Sequence, residues 1–359
     1  MQEQNRFLIL EDGHVFRGTS FGSSEDVVGE LAFSTSMSGY LEAFTDPGNF
    51  GQIVIQTFPL VGDYGIIPED AQSDRTYMRA LIVREWCQVP SNFRSQMDID
   101  TYMKQEHIVG LCDVDTRALT RIVRHSGTMR AKITDHYTES ERESILAQLR
   151  SYKPENAVMQ VTCREITKTE DQGKKTVVVW DLGIKKQLRQ ELLNRHCTVI
   201  TVPATTTAAE ISAFRPDGVL IAGGPGAPEE DPAIVDEISI LCQSGVPVFA
   251  IGLGHLLVAL SQGAKIEALK VGHRGENQPV KDVKTGRVYI TCQNHGYVVA
   301  SDTLGTQAEM CYVNANDGTC EGIQYLDKPV FSVQFHPEAA GGPLDMEFLF
   351  DRFMSMMGE

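Results

Sequence analysis

Four short apolar segments in the second half of the chain, each followed by a glycine-rich turn or a helical pattern, most constrain its fold. Thr176-Val177-Val178-Val179-Trp180, 198–202, 218–222 and 246–251 are apolar without strict alternation, as strands buried on both faces are. Between them, 185–195 carries Leu188, Leu192 and Leu193 at helical spacing, and 233–244 reads as a second helix. This rhythm predicts an α/β, doubly wound parallel sheet, in which ligands sit at the carboxyl ends of the strands. Gly223-Gly224-Pro225-Gly226 and Gly252-Leu253-Gly254-His255 fall at such ends.

The first half reads as a β-rich α+β domain over 1–150. Phe7-Leu8-Ile9-Leu10 is strand-like, Glu11-Asp12-Gly13 carries the Asp-Gly hairpin signal, and helical patterns arise at 98–105 and 116–124. Residues 151–175, with Pro154 and the charged run REITKTEDQGKK at 164–175, read as a linker, leaving 176–359 as the second domain. A length of 359 residues suits two domains. The net charge of −16 argues against nucleic acid or an anionic membrane surface as partner. No apolar run approaches the ~20 residues of a membrane helix. The eight cysteines include no C-x-x-C pair. Neither a zinc site nor a disulfide framework is therefore expected, and a reduced, cytoplasmic setting is.

Three clusters bear on chemistry. The turn 223–228 (GGPGAP) suits an oxyanion hole, because glycines let backbone N–H groups approach a ligand, although the turn taken alone favours an ordinary tight strand–helix turn. His336 and Glu338 form a His-x-Glu pair at the end of an apolar strand, the base and orienter of nucleophilic catalysis, although most such pairs are structural. The segment 248–257 has the shape of a nucleophile elbow, yet its apex is Gly252 and no Ser, Thr or Cys lies within three residues.

In order and spacing, GGPGAP, FAIGLGHLL (249–257) and VQFHPEA (333–339) resemble a class I glutamine amidotransferase domain. GHRGENQPV (272–280), QNHGY (293–297), LEDGHVFRG (10–18), GELAFSTSMSGYLEAFTDP (29–47), PSNFR (90–94) and DVDTRALTR (113–121) extend the resemblance to the carbamoyl-phosphate synthetase small subunit, essentially end to end. The resemblance implies a Rossmann-like second domain and hydrolysis of glutamine to glutamate and ammonia. The ammonia passes to a large subunit that uses ATP, magnesium and bicarbonate to make carbamoyl phosphate for pyrimidine and arginine synthesis. It implies a heterodimer able to pair further, with no cofactor or metal in this chain. His336 and Glu338 match two members of a Cys-His-Glu triad. Gly224, Gly226, Leu253, Asn294, Gly296 and Tyr297 match glutamine-binding positions.

The departures from the family pattern cluster at one site. Gly252 occupies the nucleophile's position, Leu256 that of a glutamine-binding Gln, Gly48 that of a glutamine-contacting Ser, and Ala250 that of the glycine that begins the elbow. No thioester can form on Gly252, and each lost polar partner weakens substrate binding by roughly 1–3 kcal/mol. An engineered change would account for Gly252 alone; the four together point to natural loss of glutaminase activity and weakened glutamine binding. The expectation is a structural subunit of an ammonia-using synthase. The alternatives are a glutaminase with a non-standard nucleophile, for which Cys292 is the candidate, and a non-catalytic binding or regulatory homologue. Cys242 reads as core. His273 and His295 suit either pocket lining or ordinary turns, and His255 reads as structural.

Overall fold

The computed structural model describes residues 5–153, 156–169, 173 and 175–358. The chain divides into two units, Met1–Glu155 and Asn156–Glu359.

The first unit is built on a closed barrel of seven strands. Asn5–Leu10 and Val15–Gly22 form the hairpin that the Asp-Gly signal predicts, with Ile9 opposite Val15 and Gly13 at φ 92° in the turn. Around the barrel, Val15–Gly22 is followed by Val109–Cys112, Ala80–Ile82, Gln52–Gln56, Val27–Ser34 and Met129–Thr134, which returns to the first strand. Closure leaves no free sheet edge in the barrel. Asp98 and Asp115 cap the helices Ile99–Gln105 and Thr116–Ser126 by accepting from the N–H groups of Thr101 and Ala118. A further helix, Arg142–Ser151, packs Ile145, Leu146 and Leu149 with Ile9.

The second unit carries a ten-stranded sheet. Its centre is parallel, in the order Cys197–Pro203, Lys175–Asp181, Gly218–Ile221, Val248–Ile251, Val330–Val333. Antiparallel strands Cys320–Tyr325, Ala308–Asn314, Ile266–Asp282 and Val288–Val299 extend it on one side. Each face has its own core. On one, Ile211, Ile238, Leu241 and Leu257 from three helices pack against Val178, Trp180, Val219 and Ala250. On the other, Leu188 and Leu192 of helix Lys186–Asn194 and Phe350 and Phe353 of helix Phe348–Met356 pack against Val177, Val179, Leu220 and Phe249. Cover on both faces is why the central strands read as continuous apolar runs.

The stretch read as a linker differs. Thr167–Thr169, inside 151–175, is an antiparallel edge strand, with Thr167 opposite Thr201 and Thr169 opposite Val199. Ala157–Val161 is a short helix that buries Val158 in the second unit's core. A polar Thr-Lys-Thr edge strand carries no hydrophobic alternation, so its sequence mimics a loop. Pro154, Glu155, residues 170–172 and Lys174 lie outside the described residues.

Candidate active site

The elbow forms because Val248–Ile251 is wholly buried and hydrogen-bonded on both sides, so the chain must turn sharply to enter helix Leu253–Ser261. Gly252 makes that turn at φ 57°, ψ −117°, a region that side chains other than glycine occupy only under strain. Its N–H donates to the Val333 carbonyl at 2.9 Å, which fixes the apex against the strand that delivers the histidine. A Cβ built on Gly252 would lie 3.4 Å from Gly223 Cα, 3.6 Å from His336 Cε1 and 3.7 Å from His336 Nε2. These are ordinary contacts, so the apex has room for a side chain directed at the imidazole and carries none.

His336 follows strand Val330–Val333, and its N–H donates to the Cys292 carbonyl at 2.9 Å. Its Nδ1 lies 2.8 Å from Glu338 Oε1. A carboxylate accepts, so Nδ1 carries the proton and Nε2 presents a lone pair toward Gly252, the arrangement of a general base. Glu338 is 1% exposed. Burial works against its charge, but Lys185 and His336 outweigh burial and hold the carboxyl well below the usual range. Lys185 Nζ is 2.8 Å from Glu338 Oε1, with the lysine side chain 6% exposed.

Lys185 is the residue that the sequence reading missed. It stands at the start of helix Lys186–Asn194, four residues beyond the end of strand Lys175–Asp181. The available signal was position: a cation just past the carboxyl end of a central strand, where doubly wound sheets place ligand-facing groups. Asp181 shapes the intervening turn by accepting from Gly183 and Ile184 N–H.

The glycine-rich turn meets this group from the next strand. Gly223 Cα packs beside the apex, and a Cβ on Gly224 would fall 2.1 Å from the Leu182 carbonyl, so only glycine fits there. Gly224 also lies against Leu253, where a Cβ would be 3.3 Å from Leu253 Cδ2. Gly226 bends the turn at φ 94°. Asn294, Gly296 and Tyr297 are half-buried positions on strand Val288–Val299. An isolated bridge between Cys292 and His336 ties that strand to the histidine of the His336–Glu338 pair. Gly48 belongs to the first unit, in the short turn Pro47–Asn49, where its N–H donates to Asp46 Oδ1 at 2.8 Å. Leu256 is 3% exposed and sits in the hydrophobic core with Ile221 and Leu257, as does Ala250.

Of the other candidates, Cys242 is buried in helix Pro232–Gln243, and burial pushes its thiol up to about 12. It is an inert core thiol at neutral pH. Cys292 is half-buried and contributes its carbonyl to His336. His255 is fully buried with Nδ1 2.8 Å from Ser332 Oγ, and burial pulls it down to about 3, so it is a neutral structural histidine.

Residues 8–133 match the family described as "Carbamoyl-phosphate synthase small chain, CPSase domain", and residues 178–356 match "Glutamine amidotransferase class-I". The chain is 42% identical over 354 residues to the carbamoyl phosphate synthase small chain of Listeria monocytogenes, covering 98% of this chain and 96% of that one. It is 44% identical over 347 residues to the small chain of Clostridium perfringens, covering 97% and 98%. It is 42% identical over 353 residues to the pyrimidine-specific small chain of Bacillus subtilis, covering 98% and 96%. The elbow, the glycine turn and the His336–Glu338 pair thus belong to a class I glutamine amidotransferase domain, and the chain belongs to the carbamoyl phosphate synthase small chain family.

Proposed function

We propose that this chain is the small subunit of a carbamoyl phosphate synthase that has lost its own glutamine hydrolysis. In this reading it binds a cytoplasmic large subunit that holds ATP, magnesium and bicarbonate and draws on free ammonia. The observation that carries the reading is Gly252: His336 faces the elbow apex, with Glu338 on its far nitrogen and Lys185 on Glu338, and no side chain at the apex can attack an amide.

The chemistry follows from the parts. Acyl transfer by this family's route needs a thiol at the apex; its proton passes to His336 Nε2 as sulfur attacks the amide carbon, and then to the departing ammonia as the C–N bond breaks. Gly252 offers no thiol, so no covalent acyl intermediate forms there. Losing a nucleophile of this kind costs on the order of 10⁶ in kcat in a serine protease. Leu256, at the position where the family carries a glutamine-binding Gln, has only an apolar side chain and lowers substrate affinity further. The retention of His336, Glu338 and Lys185 does not argue for activity. Removing one partner of a buried ion pair leaves an uncompensated charge and costs about 3–5 kcal/mol, so folding alone holds the trio in place.

The test is glutamine-dependent ammonia release by the purified chain, with and without its large subunit, beside carbamoyl phosphate formation from ammonium. The reading expects background ammonia release and full ammonium-dependent synthesis. Glutamine turnover that disappears in His336→Ala would overturn it. A second reading, with Cys292 as a displaced nucleophile, draws on the bond from His336 N–H to the Cys292 carbonyl; it expects glutaminase activity abolished by Cys292→Ser.

A further inference from the structure

We propose that His273, His295 and Glu321 form a binding site for one divalent metal ion of the zinc class. This goes beyond the function proposed above and does not depend on it. The three residues come together through the antiparallel extension of the sheet. His273 and His295 are directly opposite on strands Ile266–Asp282 and Val288–Val299, so their rings share a face, with centroids 5.0 Å apart. Glu321 enters from strand Cys320–Tyr325. Its side chain is fully buried, that of His295 is 5% exposed and that of His273 is 13% exposed.

The outer hydrogen bonds fix which nitrogens face inward. His295 Nδ1 is 2.9 Å from the Tyr297 carbonyl, which only accepts, so Nδ1 carries the proton and Nε2 is a lone pair. His273 Nε2 is 2.9 Å from Asp317 Oδ2, so Nε2 donates, and in the singly protonated ring Nδ1 is the lone pair. Both inward nitrogens point at Glu321: His273 Nδ1 lies 3.4 Å and His295 Nε2 3.9 Å from Oε1. One ligand atom from each of the three residues lies within 4.8 Å of the others. A carboxylate or carbonyl behind each imidazole, with lone pairs converging in front, is how proteins orient histidines for a metal.

The hydrogen bonding inside the cluster is incomplete without a cation. Gln293 Nε2 donates to Thr291 Oγ1, whose hydroxyl donates to the Gln278 carbonyl. That chain turns Gln293 Oε1 toward His295 Nε2 at 3.1 Å, so one acceptor faces another. Glu321 Oε2 is buried and makes no hydrogen bond. The Asn314 amide spans Glu321 Oε1 at 3.0 Å and His273 Nδ1 at 3.3 Å, and those are the contacts a metal would replace. Metal–ligand bonds of about 2.0–2.1 Å set tetrahedral ligand atoms about 3.3 Å apart. The separations of 3.1 and 3.4 Å already match that, while the 3.9 Å separation and the widest among the three ligand atoms, within 4.8 Å, close on metal binding. Two imidazoles, a carboxylate and a neighbouring amide oxygen suit zinc over magnesium or calcium, which prefer all-oxygen shells.

The experiment uses the full chain freed of metal with EDTA. Titration calorimetry with Zn²⁺ is expected to show one equivalent bound and a Tm that rises with zinc concentration. Co²⁺ in its place is expected to give the visible absorption of a tetrahedral site. Glu321→Gln and, at the more open edge, His273→Gln should each weaken Zn²⁺ binding at least tenfold, with circular dichroism confirming that each variant is folded. The absence of a saturable site overturns the proposal. So does one-equivalent binding that both substitutions leave intact, which would put the metal elsewhere, for example on cysteines. Ring-nitrogen NMR showing His273 doubly protonated in a protein that takes up no zinc would likewise overturn it, by putting a proton where the metal is proposed.

Discussion

Two buried histidine–glutamate groups in the same unit differ in how their charges are met. At the elbow, the Glu338 carboxylate has Lys185 and His336 each 2.8 Å from Oε1. Together they outweigh burial and hold it ionised. In the hairpin region, Glu321 has no lysine or arginine ion-pair partner among the described residues, and burial pushes its carboxyl up despite His273, Asn314 and Gln293. The first group has its charge met by a lysine, although Glu338 Oε2, like Glu321 Oε2, accepts no hydrogen bond, and it carries no side chain at its apex, Gly252. The second is chemically equipped and electrostatically incomplete. A His-Glu pair in a sequence therefore says little until the third charge is located.

The largest effect expected concerns the apex. Glutamine turnover by this chain should fall short of a thiol-bearing amidotransferase by a factor on the order of 10⁶ in kcat. Gly252→Cys should place a thiol beside His336 Nε2 that alkylates faster than Cys242, yet, on the proposed reading, restore little glutaminase activity because Leu256 remains. Thiol-labelling rates set beside ammonia release separate the two effects. Full activity from the single change would show that Leu256 does not impair glutamine binding.

Next in size is the ion pair. Lys185→Met leaves Glu338 buried without its cation and is expected to cost about 3–5 kcal/mol at pH 7, read from urea unfolding. The pH dependence has a definite sign. Glu338 is depressed in the folded protein, so its stabilising contribution is present above the ordinary glutamate value of 4.5 and is lost as pH falls below that toward the folded value. In Lys185→Met the deficit should shrink as acid protonates Glu338. A deficit that stays constant from pH 7 to pH 4 would mean that the lysine acts by packing its stem rather than by charge.

A smaller cost is expected at the apex backbone. Gly252→Ala introduces a Cβ that meets only ordinary contacts, so its price is the φ of 57°, about 1–3 kcal/mol by the same unfolding measurement. No measurable loss would mean that the elbow relaxes, and that its sharpness is not held by the bond from Gly252 N–H to Val333.

Much of this was legible in the sequence, for identifiable reasons. Apolar runs such as Val177–Val179 report a strand covered on both faces, and glycine turns after 218–221 and 248–251 mark the ligand end of the sheet. His336 and Glu338 are two residues apart, so local pattern sufficed. Lys185 is separated from Glu338 by most of the second unit, and only the sheet brings them together. The same holds for Glu321, which reaches His273 and His295 across strands whose bulges between Ala268 and His273, and between Gly275 and Gln278, blur any alternation. Thr167–Thr169 escaped notice because an exposed edge strand needs no apolar face.

The last contrast runs through a matched substitution. Glu321→Gln in metal-free protein removes a buried charge while its amide oxygen can still accept from Asn314 Nδ2. Replacing an incompletely paired buried ion with a neutral group of the same shape is commonly neutral or stabilising. Its effect on urea unfolding should therefore lie within about 1 kcal/mol of zero and lean toward stabilisation, against the several kcal/mol lost in Lys185→Met. Zinc should reverse the ranking: it stabilises the wild-type chain by mass action and leaves Glu321→Gln nearly unchanged. If Glu321→Gln instead costs as much as Lys185→Met in the absence of metal, His273 already carries the compensating proton, and the two groups are electrostatically alike.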